Sequence, residues 1–134
     1  MLTANRESAV KQYQSIATRS RIDDASPHRL IQLMMERALS KIGLAKTHMK
    51  ENRVQDKGNN ITDAISIING LQASLNHSVD DRMSENFDAL YAYMMRRLLE
   101  ANLKNETSIL DEVAGLLGEL KEAWDAIAND IDGA

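Results

Sequence analysis

Apolar residues recur along this chain at three- and four-residue steps, in runs separated by short polar breaks. A period near 3.6 sets such positions on one side of an α-helix, so four amphipathic helices are predicted. The first opens at Ser26-Pro27, with serine as N-cap and proline at the first helical position, where its missing N–H removes no bond. Ile31, Met34, Met35, Ala38, Ile42, Ala45 and Met49 carry it to about Glu51. A polar turn around Asn52-Arg53 leads into a second helix from about Val54 to Leu75, with Ile61, Ala64, Ile65, Ile68, Leu71 and Leu75 on its arc. Asn76-His77-Ser78 reads as a loop, and Ser78-Val79-Asp80-Asp81 as the cap of a third helix that ends near Asn102–Asn105. Ser108-Ile109-Leu110-Asp111 then opens a fourth, with Val113, Leu116, Leu117, Leu120, Trp124 and Ile127 on one stripe. The tail after about Ala128 has little apolar content and is expected to fray.

Four helices joined by short connections make an all-α, antiparallel up-down four-helix bundle about 30–38 Å long. With one proline and six glycines the chain has few breakers, and nothing in it asks for a strand. Residues 1–25 are polar overall, with Val10, Tyr13, Ile16 and Ala17 at helical spacing. So few apolar groups do not hold a helix alone, so the segment is either a mobile tail or a strap docked on the bundle. Tyr13 tips the reading toward the strap. The division expected is an N-terminal strap or tail over 1–25, the bundle over 26–127 and a frayed tail over 128–134.

The third helix carries more apolar surface than one core face requires. Phe87, Leu90, Met94, Leu98 and Ala101 make a bundle stripe, yet Tyr91, Tyr93, Met95 and Leu99 spread around the other sides. Two of three tyrosines and three of seven methionines (Met83, Met94, Met95) lie on this helix or just before it. Adaptable methionines beside tyrosines are frequent where a protein holds apolar partners.

Charge narrows the partners. The net charge is −4, but residues 1–53 carry +5 and residues 54–134 carry −9. A phosphate-binding surface needs a clustered basic face, so the acidic half argues against nucleic acid. A basic first helix packed beside acidic neighbours accounts for the asymmetry. No apolar run approaches the roughly 20 residues of a membrane span, and the first residues have no secretory pattern, so a cytoplasmic protein is expected. Without cysteine, thiol chemistry and cysteine metal sites are excluded.

No catalytic constellation emerges. His28, His48 and His77 are far apart, and none follows a glutamate at the Glu-x-x-His spacing of di-iron bundles, so no metal or other cofactor is expected. Gly115 and Gly118 lie in a leucine-rich helix, where close helix approach explains them better than phosphate binding. His48-Met49-Lys50 is a loose match to a histidine phosphotransfer helix, but the His-x-x-Lys-Gly spacing is not met. A non-enzymatic binding bundle is expected; a phosphotransfer domain and a generic helical adaptor for some other partner are the alternatives.

Several stretches carry a family likeness: Ser26-Pro27-His28-Arg29-Leu30-Ile31 with Ala38-Leu39, the run Ile65 to Leu75, the run Leu90 to Asn102, then Leu110-Asp111-Glu112-Val113 and Trp124. In order and spacing the chain resembles the flagellar secretion chaperone family from about Tyr13 to Ile127. It departs at Met35, where that family often has tyrosine, and in the connection Asn76 to Asp81, which lacks the usual glycine. The resemblance implies a chaperone that binds the disordered C-terminal region of flagellin in the cytosol. It implies that premature polymerisation is blocked and that the cargo passes to an export gate component of the flagellar type III apparatus, with other flagellar regulators as further partners. Ile68, Leu71, Tyr91, Met94, Met95 and Leu98 are expected as groove walls, with Met34, Met35 and Tyr93 beside them. Of these, Tyr91, Tyr93 and Met95 leave the main stripe and are the stronger contact candidates. Arg96 and Arg97 pair with cargo carboxylates or, more simply, stay solvated or bonded within the bundle. Val10, Tyr13 and Ile16 are expected to occupy the groove until cargo arrives.

Overall fold

A computed structural model describes residues 26–75 and 82–132. Among them the chain forms four α-helices and no strand: α1 (Pro27–Lys50), α2 (Val54–Ala73), α3 (Arg82–Lys104) and α4 (Thr107–Asp132). Val10, Tyr13, Ile16 and the connection after Leu75 lie outside the described residues.

Local chemistry sets the helix ends. The Ser26 side chain accepts the Arg29 amide at 3.2 Å, with Pro27 in the first turn. α1 closes on Asn52 at φ 60, where Arg53 N–H donates to His48 O at 2.9 Å and Asn52 N–H to Met49 O at 3.3 Å. That pair of bonds is a Schellman closure, with asparagine in the left-handed conformation that its short side chain tolerates. α3 also closes on a left-handed asparagine, Asn105 at φ 55, whose N–H donates to Ala101 O at 2.8 Å in the simpler αL closure. Both tight turns therefore lie at one end of the bundle.

Each helix packs on two neighbours: α1 on α2 and α4, and α3 on α2 and α4. Polar pairs fix the antiparallel register. Lys41–Asp63 and His48–Asn60 join α1 to α2, while Lys46–Asp111 and Gln32–Asp125 join α1 to α4. Lys57–Asn102 and Gln72–Asp88 join α2 to α3, and Arg97–Glu112 joins α3 to α4. The core holds the expected methionines and isoleucines, with Met34, Met35, Ile42, Ile61, Ile68, Leu71, Met94 and Leu98 almost fully enclosed.

Three sequence expectations change. Tyr91, expected off the stripe, is only 2% exposed and packs edge-on to Phe87 with ring centroids 6.3 Å apart. The buried arc of α3 is wider than five residues because α2 and α4 cover it from both sides. On α2, Ile67 is fully buried while Ile65 is only half-buried, since α1 claims the Ile67 side. Gly115 and Gly118 do not serve close helix approach: a methyl added at either meets nothing within 4 Å.

Candidate docking surface

Four large apolar side chains are exposed among the described residues: Leu44, Val54, Leu99 and Leu103. Leu44 stands on α1, and single exposed apolar groups need no explanation. The other three lie on α2 and α3, with Val54 70%, Leu99 55% and Leu103 87% exposed. The α2–α3 register brings them together. Lys57 Nζ donates to Asn102 O at 3.2 Å, and Gln72 Nε2 donates to Asp88 O at 3.3 Å. Between these two cross-links, helical spacing sets Gly58, Thr62, Ile65, Asn69 and Gln72 in one row on α2. On α3 it sets Ala92, Met95, Leu99 and Leu103 in the row alongside.

Neither row contains a charge. In a chain with 27% charged residues, an uncharged strip running for four turns, about 20 Å, is not background. Depletion of charge with enrichment of methionine and aromatic groups marks the centres of protein–protein interfaces. The other side of the bundle differs: α1 and α4 are laced by Lys46–Asp111 at 2.7 Å and Lys121–Glu36 at 3.7 Å, with Lys121–Asp125 at 2.7 Å along α4 itself.

The expected groove residues fall into two sets. Met34, Met35, Ile68, Leu71, Met94, Leu98 and Tyr91 are buried and supply the rigid floor. Met95 is half-buried on the seam, packed against the core from its rim. Tyr93 faces α4, where its hydroxyl donates to Glu112 Oε2 at 2.7 Å. Leu99 belonged to the surplus surface read from the sequence. Leu103 and Val54 were not singled out, although Leu103 continues the line of Leu99 at i+4 and Val54 lies across the seam on α2.

Tyr93 opens a polar ladder along α3 and α4. Arg97 Nε donates to Glu112 Oε1 at 2.7 Å, and Arg97 also bonds Glu100, which in turn holds Lys104 at 2.7 Å. The bond from Arg97, then that from Tyr93, holds the Glu112 carboxyl below the usual carboxylate range. The bond to Glu112 raises the Tyr93 phenol in return. Arg96 lies over the Tyr93 ring at 5.9 Å. These two arginines are thus engaged within the bundle, the simpler of the two sequence readings.

His48 Nδ1 lies 2.7 Å from Asn60 Oδ1. That gives His48 a structural bond at the α1–α2 contact. Among the described residues no group of three or more His, Cys, Asp or Glu is placed to hold a metal ion. No described helix is long and apolar enough to cross a membrane.

Fold and face together define a class: an all-α bundle with one uncharged, partly apolar side left open. The chain belongs to the FliS family of flagellar proteins, since the family model described as flagellar protein FliS matches residues 9–131. It is 44% identical over 121 residues to the flagellar secretion chaperone FliSB of Pseudomonas aeruginosa, covering 90% of this chain and 96% of that one. It is 38% identical over 122 residues to the flagellar secretion chaperone FliS of Salmonella typhimurium, covering 90% of each. Its identity to the Bacillus subtilis chaperone FliS is 33% over 103 residues, covering 77% of this chain and 76% of that one.

Proposed function

We propose that this chain is a cytosolic, non-enzymatic export chaperone that holds the disordered C-terminal region of flagellin along the α2–α3 seam. It thereby blocks premature polymerisation and presents the cargo to an export gate component of the flagellar type III apparatus. The observation that carries the reading is the uncharged strip with Leu99 and Leu103 exposed on it. Membership of a family of flagellar proteins supports a flagellar polypeptide as the cargo. An amphipathic segment that has not yet joined a filament exposes its apolar face, and a helix laid into an apolar groove covers it. Within this reading Met95, Leu99 and Leu103 touch cargo, Tyr91, Met94, Leu98, Ile68, Leu71, Met34 and Met35 fix the shape of the floor, and Tyr93 borders the site.

Titration calorimetry of the full chain against the last ~40 residues of the same organism's flagellin tests the reading, a segment suited to coupled folding and binding. Micromolar or tighter binding with a negative heat-capacity change is expected. Absence of binding at micromolar concentrations rejects it. Phosphoryl transfer to His48 from a phosphorylated receiver domain would instead favour the phosphotransfer alternative.

A further inference from the structure

Tyr91 spends a hydroxyl on a position where phenylalanine would pack as well. Its ring is enclosed and edge-on to Phe87. Buried tyrosine hydroxyls ordinarily find a partner, because an unmet polar group in a core is costly. Tyr93, two residues on, obeys that rule through Glu112. Among the described residues the Tyr91 ring meets Phe87, and its hydroxyl bonds none of them. The fully enclosed side-chain polar atom without a partner among the described residues is a different one, His28 Nε2. The residual 2% exposure of Tyr91 therefore includes its oxygen, which opens to the surface.

Where it opens follows from the register. On α3, Asp88, Tyr91, Met95 and Asn102 succeed one another at helical spacing, and the carbonyls of the first and last accept bonds from Gln72 and Lys57 of α2. Tyr91 thus lies on the α2 side of α3, at the base of the uncharged strip. Along the α2 edge the Gln72 amide is spent on Asp88 O and the Lys57 ammonium, further along, on Asn102 O and Asn105 Oδ1, while Asn69, opposite Tyr91 in register, is not bonded to it. We propose that the Tyr91 hydroxyl is a donor held open for a docked polypeptide, so that the seam selects apolar segments carrying an acceptor oxygen at that point; the inference rests on the docking reading above. The occupant is uncharged and apolar apart from that oxygen, because the two rows that would receive it offer no charge. The oxygen belongs to a side-chain carboxamide or hydroxyl, or to a free carbonyl at a helix end. Burial keeps the phenol protonated, and so a donor, at any physiological pH.

Tyr91→Phe isolates the effect, since it removes one atom that bonds nothing among the described residues. Calorimetry against the ~40-residue flagellin peptide is expected to show about five- to tenfold weaker binding, the ordinary worth of one hydrogen bond. Thermal unfolding of the free variant is expected at an unchanged or higher temperature. Equal affinity for wild type and Tyr91→Phe, with wild type binding, overturns this inference alone. A lower unfolding temperature for Tyr91→Phe assigns the hydroxyl to the fold and also overturns it. Failure of the wild-type chain to bind overturns the docking reading and this inference with it.

Discussion

Lys57, on the first turns of α2, donates from Nζ to the backbone carbonyl of Asn102 on α3 at 3.2 Å, and to Asn105 Oδ1 at 3.1 Å. Its side chain is 6% exposed, so the four-carbon stem is packed and the ammonium sits against the carbonyl end of α3. A cation there answers the negative end of the helix dipole and satisfies a carbonyl with no partner further along the helix. The same contact pins the left-handed Asn105 that ends α3. One lysine therefore ties the two tight turns of the bundle to each other.

Lys57→Met keeps most of the stem and removes the charge-assisted bonds, so it is expected to cost about 1–2 kcal/mol, with water recovering part of the loss at the half-exposed acceptors. Lys57→Ala loses the stem as well and is expected to cost about 2–3 kcal/mol. Lys57→Glu sets a carboxylate against the carbonyl end of α3 and is expected to be the worst of the three. Urea unfolding measures the order. A neutral or stabilising Lys57→Met would show that the buried charge gives no net support.

The α3–α4 ladder makes stability depend on pH at both extremes. Glu112 titrates below its ordinary 4.5 in the folded chain, chiefly because Arg97 and then Tyr93 donate to it. Its contribution is complete above 4.5 and is lost as pH falls through the lower folded value. Tyr93 is raised above its ordinary 10.0, chiefly by its bond to Glu112, so its contribution is complete below 10.0 and is lost as pH rises through the higher value. Glu112→Gln is expected to flatten the acid limb of a Tm–pH profile. It should also return the Tyr93 phenol toward its ordinary range, read as the difference in absorbance titration between chains with and without Tyr93→Phe. An unmoved phenol midpoint in Glu112→Gln contradicts the assigned cause.

Helix number, order and turns were legible in the sequence because spacing and capping are local signals. Ser26-Pro27 began α1 as read, and asparagines closed both tight turns. The width of each buried arc was not legible, since it depends on how many neighbours a helix has. Tyr91 looked peripheral on a five-residue stripe and is enclosed once α2 and α4 flank α3. Lys57 and Asn60 gave no sign of burial, because a lysine in a polar run reads as solvated until its partner on another helix is known. The candidate site was half legible. Surplus apolar surface on α3 identified the helix, but the absence of charge across two adjacent helices needs the register to be seen.

Leu99 and Leu103 are exposed, so charging them leaves the core alone. Leu99→Glu with Leu103→Glu is expected to leave Tm within about 1–2 °C, as surface changes usually cost under 0.5 kcal/mol. Two carboxylates desolvated against an apolar partner should weaken flagellin-peptide binding by at least tenfold. A control pair at Glu119 and Glu122, exposed on α4, changed to glutamine, should bind as the wild type does. Loss of binding in the control as well would move the docking site off the α2–α3 seam.

The helical glycines separate fold from docking. Gly58, Gly115 and Gly118 lie inside helices, and a methyl at each meets nothing within 4 Å. Glycine costs a helix interior about 0.5–1 kcal/mol relative to alanine, so each change to alanine should raise stability by about that much. Gly115 and Gly118 lie on α4, away from the seam, and their alanine variants should gain stability with peptide affinity unchanged. Gly58 follows Lys57 in the uncharged row of α2, beside the exposed Leu103. A methyl there occupies space open in the free bundle but needed by a segment pressed into the groove. Gly58→Ala is therefore expected to raise the unfolding temperature and weaken peptide binding together, by about three- to tenfold for a one-methyl misfit. Chemical denaturation and calorimetry on the three variants decide it: a Gly58→Ala chain that gains stability and keeps full affinity places the docked segment elsewhere.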